Sequence, residues 1–252
     1  MFYADIAIRG RDKEHCQDST YSYYTNDSAF LAVADGLGSH SYSHIGSCRV
    51  ITILKQKLQN SLLVTHLEIT KMPKEDLVRL VDELYQETIK EWKNWVSNQF
   101  SEKLDCTFSL VVAINDYVFY RSIGDSILLF SDKESNFLVI QSSDNVRSSF
   151  GSTPTLLSFS DGDYKKYNYL DSEKKGIVLS TDGLEDIIIK TADNPLYREV
   201  HSWFSEVFYR YYSQPKTFQK IIEKEFVSLY GQTKGDDVGF GYIIFGQDSS
   251  RT

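Results

Sequence analysis

The chain has 252 residues, 41% hydrophobic and 14% aromatic, with a formal charge of -8: enough apolar material for a thick core, and too acidic a balance to grip a phosphate backbone. Nucleic acid is therefore not an expected partner. No apolar run approaches the roughly 18 to 20 residues of a membrane helix, and the start, MFYADIAIRGRDKEH, meets charge too early for a signal peptide, so a cytoplasmic protein without membrane contact is expected. Cys16, Cys48 and Cys106 form no CxxC or Cys/His cluster, so they are read as small reduced core residues rather than a disulfide frame or a zinc site.

In chain order, residues 2–9 read as a strand and 29–35 as another, a continuous apolar run of the kind buried on both faces. The polar stretch TYSYYTNDS between them fits a short strand and a turn. From about 43 to 63 the period becomes helical, with Ile45, Cys48, Ile51, Leu54 and Leu58 at steps of three and four. A stronger helix is predicted over 74–100 on Leu77, Val81, Leu84, Trp92 and Trp95/Val96, with Pro73 at its start. Strands follow at 105–114, 117–123, 126–131 and 136–141, the first pair joined by the turn signal Asn115-Asp116. Connections this short predict one antiparallel meander. Further strands are read at 155–159, 164–169 and 176–181, then a short helix after Gly183, helices at 195–212 and 217–230, and a closing strand at 238–245. Helices in pairs between groups of antiparallel strands predict an α+β fold with two stacked sheets and helices outside.

Four acidic turns punctuate this pattern: Asp35-Gly36 after an apolar run, Gly124-Asp125-Ser126, Ser180-Thr181-Asp182-Gly183 after GIVL, and Gly235-Asp236-Asp237 before the last strand. An aspartate at a strand end sits where several strands can aim side chains at one point. Clustered carboxylates repel unless a cation joins them, so a hard divalent metal site is the natural reading, although a single strand-end Asp-Gly is more often just a turn. With the acids spread from residue 18 to residue 236 and no linker between them, 1–252 is expected to be a single domain.

These turns and their neighbours resemble the metal-dependent serine/threonine protein phosphatases, the PPM or type 2C family. AVADGLGSHSYSHIGS, CTFSLVVAINDYVFYRSIGDSILLF, VLSTDGLEDII and GDDVGFGYIIF resemble its successive motifs, and GRDKEHCQDS resembles its opening motif in the bacterial branch that carries C-Q-D. The resemblance implies a four-layer α-β-β-α sandwich of two antiparallel sheets flanked by helix pairs, with a site for two Mg²⁺ or Mn²⁺ ions between the sheets. It implies that Asp35 bridges both ions and Gly36 lends a backbone carbonyl to one, that Asp182 and Asp236 complete the other, that Asp18 holds metal-bound water, and that Asp125 serves a third, weaker ion. The implied reaction is hydrolysis of phosphoserine or phosphothreonine by a metal-bridging water or hydroxide, without a phosphoenzyme. A phosphorylated protein, a partner kinase or that kinase's target, is the implied substrate, and a monomer is expected.

The chain departs from the family pattern in three places. Lys13 stands where many members have a phosphate-gripping arginine, with Arg11 two residues earlier as the alternative, and lysine lacks the planar fork. Gln17 replaces a glutamate. Leu37 replaces a histidine found in some members, leaving water, His15, His40 or His44 as general acid. These changes, with Val238-Gly239-Phe240 after the last acidic turn, keep two other readings open: a catalytically weak, phosphatase-like regulatory binding module, and a phosphatase for a small phosphorylated metabolite.

Overall fold

Alternation along a single strand sorts the core into layers. In β3 (Ser28–Ala34), every residue is buried, and Ala29, Leu31 and Val33 pack with Val111, Leu128, Ile177, Leu179 and Ile243, while Phe30, Ala32 and Ala34 join a second cluster with Val50, Leu54, Val81 and Trp92. Side chains two apart share one face of a strand, so β3 faces a sheet on one side and helices on the other. The computed structural model describes residues 2–10, 13–65, 68–98, 103–131, 137–141, 165–170, 176–191, 198–230 and 236–245.

One sheet contains β1 (Phe2–Ile8), β6 (Ile127–Ser131), β7 (Phe137–Gln141), β9 (Gly176–Ser180) and β12 (Val238–Ile244), in the order β1-β12-β9-β6-β7. The other contains β2 (Ser19–Tyr24), β3, β4 (Phe108–Ile114), β5 (Tyr117–Ile123) and β8 (Lys165–Leu170), in the order β2-β3-β4-β5-β8. Every pairing in both is antiparallel. Outside the second sheet lie α1 (Ser43–Leu58), the short α2 (Leu62–Thr65) and α3 (Lys74–Ser97). The first sheet is covered by the helices Ser202–Tyr211 and Pro215–Tyr230, whose Phe204, Phe208, Phe218 and Ile222 meet Ile127, Val178, Phe240 and Tyr242. Edge-on ring contacts such as Phe218–Phe240 at 5.6 Å and Phe208–Tyr242 at 5.1 Å hold that side together. The result is the four-layer α-β-β-α sandwich of two antiparallel sheets, and no helix among the described residues is long and apolar enough to cross a membrane.

Four details differ from the sequence expectation. The meander is divided: β4 and β5 form one hairpin, β6 and β7 another, and Gly124–Ser126 carries the chain from one sheet to the other. Gly124 makes this possible at φ 118, where a side chain would also strike Thr107 Cγ2 at 2.5 Å. Second, α1 stops at Leu58, where Asn60 and Ser61 turn the chain, and the Ser61 hydroxyl accepts the Leu63 N–H at the head of α2. Third, the α1 stripe is rotated: Ile45 and Cys48 are exposed, while Ser43, Gly46 and Ser47 are buried. Backbone presses on this turn, since a Cβ at Gly46 would lie 1.7 Å from the Leu104 carbonyl oxygen. Fourth, the helix predicted from 195 begins at Ser202, because β11 (Arg198–Val200) pairs with β10 (Ile189–Thr191). The strand expected at 155–159 lies outside the described residues, whereas the Asn115 turn is present, with φ 51 at Asn115.

Candidate metal centre

The acidic turns meet at one end of the sandwich. Asp35 leaves β3 with its N–H donated to Thr107 Oγ1 at 2.9 Å, and its carbonyl accepts the Thr107 N–H at 2.7 Å. This reciprocal pair continues the β3–β4 ladder past its end, and Gly36 bridges to Cys106 just beyond. Gly36 must be glycine: a Cβ there would sit 2.8 Å from the Gln17 carbonyl oxygen, which accepts the Gly36 N–H at 3.0 Å. Asp182 begins a tight helical turn after β9, and Gly183 lets the Asp237 carbonyl approach so closely that a Cβ would lie 2.0 Å from its oxygen. Asp125 is buried on the crossover between sheets, next to Ser126, whose hydroxyl accepts from Ser109 at 2.7 Å, while Ser109 also contacts Ser122 at 2.6 Å.

Asp35, Asp125 and Asp182 each place a carboxylate oxygen within 4.8 Å of the others. Asp18, 5% exposed, stands beside them. Its Oδ2 accepts the Thr181 hydroxyl at 2.6 Å, and Thr181 Oγ1 in turn accepts the Gly239 N–H at 3.0 Å. Its Oδ1 is buried with no hydrogen-bond donor among the described residues. Burial raises the Asp18 carboxyl to about 7; the Thr181 hydroxyl and Asp35 pull it back, and Asp237 and Asp236 add to the rise. Burial also holds Asp35 well above the usual carboxylate range, reinforced by repulsion from Asp18 and Asp182. Two buried carboxylates that repel each other cannot both ionise cheaply, so the pair carries a charge conflict that a cation would relieve.

Asp236 sits at the open rim. Its Oδ1 meets Lys13 Nζ at 2.9 Å and accepts the Asp237 N–H at 2.9 Å. Lys13 also donates to Gln17 Oε1 at 2.7 Å. Burial opposes the charged ammonium, but Asp236, Asp237 and Asp35 outweigh it and raise the Lys13 pKa. The structure thus draws Asp18, Asp35, Asp125 and Asp182 together and leaves Asp236 beside them, engaged by Lys13, while Arg11 lies outside the described residues. His40 approaches Asp105 at 3.7 Å, and His15 stacks on His44 at 4.5 Å.

Several contributors carried no assigned role in the sequence. Thr107 fixes the Asp35 backbone, and Thr181 fixes Asp18. Buried Asp237 takes the Gly10 N–H at 2.6 Å and the Gln17 N–H at 2.7 Å, tying the segment that bears Lys13 and Asp18 to the last acidic turn. Paired hydroxyls and acids flanking a strand end were the available signal, but hydroxyls are too common in turns to single out. A cavity of about 460 Å³ along α1 and α3, lined by Lys57, Glu83, Glu87 and Glu91, includes none of these acids.

An α-β-β-α sandwich with strand-end carboxylates converging at one edge defines a class of metal-dependent hydrolase. The family model for protein phosphatase 2C matches residues 9–222, and the chain belongs to that family. Among solved structures it is similar to the serine/threonine phosphatase Stp1 from Staphylococcus aureus, at 12% identity over 98% of this chain and 96% of that one, with a TM-score of 0.68. It is also similar to the catalytic domain of the serine threonine protein phosphatase PstP in complex with two manganese ions, at 17% identity over 97% and 98% of the two chains, TM-score 0.67. A serine-threonine phosphatase 2C from Toxoplasma gondii aligns at 15% identity over 97% and 94%, TM-score 0.63. At these identities the likeness is one of fold. No curated protein sequence matches significantly.

Proposed function

We propose that the chain removes phosphate from phosphoserine and phosphothreonine of proteins with the help of two Mg²⁺ or Mn²⁺ ions. The observation that carries this reading is the meeting of Asp35, Asp125 and Asp182 within 4.8 Å, beside a buried Asp18 oxygen that has no donor among the described residues. The residues fit such ions: an all-oxygen set of carboxylates suits Mg²⁺ or Mn²⁺ better than softer metals. When bound, the ions would supply an activated water at neutral pH and positive charge for the phosphoryl oxygens.

Asp35 is assigned the position shared by both ions, with the Gly36 carbonyl on one side and Asp182 and Asp236 on the other. Asp18 is assigned to orient water, held by the Thr181 hydroxyl so that Oδ1 stays directed inward. Asp125 is assigned to a third, weaker position. Lys13, with Arg11 as the alternative, is assigned to neutralise the substrate phosphate. Cys16-Gln17-Asp18 places the chain with the bacterial branch of the family in this reading, as a cytoplasmic, single-domain monomer that opposes a partner kinase or acts on the kinase itself.

The Lys13–Asp236 ion pair favours one competing reading, a phosphatase-like regulatory module with weak turnover, because it engages a residue otherwise assigned to metal. Retention of Asp35, Asp125 and Asp182 in one cluster favours the enzyme. The test is hydrolysis of a chromogenic phosphate ester with Mn²⁺ and with EDTA, followed by a panel of phosphopeptides and phosphorylated metabolites. Turnover that needs Mn²⁺ and prefers phosphopeptides supports the proposal; turnover that survives complete metal removal defeats it, and a preference for metabolites transfers the site to small-molecule chemistry.

A further inference from the structure

Lys13 is held too deliberately for a solvated surface lysine. Its Nζ lies 2.9 Å from Asp236 Oδ1 and donates to Gln17 Oε1 at 2.7 Å. The Gln17 amide then donates to Ser43 Oγ at 2.7 Å, and Ser43 donates to the His40 carbonyl at 2.9 Å, anchoring the lysine to the start of α1. Gly38 passes overhead, where even a Cβ would stand 3.7 Å from Nζ. The Lys13 side chain is 29% exposed against 60% for Asp236, so the fold orders the cation more firmly than the anion. Asp236 Oδ1 also accepts the Asp237 N–H at 2.9 Å, which leaves that oxygen little room for another partner.

We propose that Lys13 is a tethered competitor cation for the Asp236 end of the metal centre: the ion assigned to Asp35, Asp182 and Asp236 must displace the ammonium from Asp236 Oδ1 or bind the other oxygen beside it, whereas the ion assigned to Asp35 and the Gly36 carbonyl need not. This inference rests on the two-ion reading above and adds a property of this chain's own residues. Two positive charges a few ångströms apart repel strongly outside bulk water, so the Asp236-dependent ion binds more weakly than its neighbour, and its affinity is set by residue 13.

The experiment is titration of the purified chain with Mn²⁺ alone, with free ion counted by electron paramagnetic resonance. Wild type is expected to show a tighter and a weaker site. Lys13→Met and Lys13→Gln should tighten the weaker site by roughly tenfold, a 1.4 kcal/mol change, and leave the tighter one within about twofold. Lys13→Arg, which keeps the charge, should stay near wild type, and Asp236→Asn should weaken that site further in every background without removing it. Circular dichroism melts in EDTA identify the folded variants to be compared, and two neutral variants ensure that one is available. Two bound ions whose affinities ignore residue 13 overturn the inference and leave the phosphatase reading standing. Failure of wild type and both neutral variants to bind Mn²⁺ overturns both.

Discussion

The two sides of the acidic cluster are built differently. On the inner side Thr107 fixes the Asp35 backbone and Thr181, itself held by the Gly239 N–H, fixes Asp18, against which Gly239 packs so that a Cβ would lie 3.1 Å from the Asp18 Cβ. On the outer rim Asp236 is exposed and held by a lysine and its neighbour's N–H. Buried, neutral-donor support preorganises charge that has nowhere to go, which is the condition under which a cation is bound firmly. An exposed ion pair gives little stability and exchanges readily. On the two-ion proposal, the inner side would set whether the centre forms, and the rim how readily it fills.

Charge removal tests this contrast most strongly. Asp35→Asn or Asp182→Asn should lower kcat for Mn²⁺-dependent ester hydrolysis by about 10²- to 10³-fold or more, the scale seen when one charge-stabilising group is lost. Asp236→Asn should cost less at saturating Mn²⁺; an equal loss would erase the distinction between wall and rim. Next in size is Gly183→Ala, whose methyl would lie 2.0 Å from the Asp237 carbonyl oxygen. Overpacking of this kind should cost about 3 kcal/mol in urea unfolding, whereas Gly38→Ala at the rim, meeting Lys13 Nζ at an ordinary 3.7 Å, should cost almost nothing. Thr181→Val keeps the shape but leaves Asp18 Oδ2 and the Gly239 N–H without their partner, for a loss of about 1 to 2 kcal/mol by the same measurement.

A further test is pH dependence. Asp18 is raised to about 7 in the folded chain from 3.8. Between these values the native state binds more protons than the unfolded one, so the contribution is fully present below about 4 and is lost as pH rises through 7. In EDTA the thermal midpoint should therefore fall by a few degrees from pH 5 to pH 8, and saturating Mn²⁺ should flatten that slope. A midpoint in EDTA that rises over this range would show that the inner acids are not in conflict.

Strand periodicity made most of the architecture legible, because both faces of β3 and β9 are apolar and the helices carry clear stripes. The acidic turns were equally visible, since each follows an apolar run. What escaped was whatever depends on close backbone approach. The first turn of α1 packs through Gly46 and Ser47 against the Leu104 and Gln17 carbonyls, so hydrophobic spacing on Ile45 and Cys48 pointed to the wrong face. The change of sheet at Gly124 was hidden for a related reason: a short connection reveals chain reversal but not whether the next strand pairs with the last. Within the centre, Thr107 and Thr181 act through hydrogen bonds to residues 72 and 163 positions away, a separation that no local pattern encodes. Asp237 likewise ties down the segment carrying Gly10 and Gln17, more than two hundred positions away in the chain.

Anomalous diffraction from crystals soaked in Mn²⁺ addresses the metal centre most directly. Two peaks about 3.5 to 4 Å apart, the spacing common to two-metal hydrolases, should appear with Asp35 between them and Asp182 against one. Manganese bound elsewhere, with the Asp35–Asp125–Asp182 cluster bare at saturating concentration, would contradict the account.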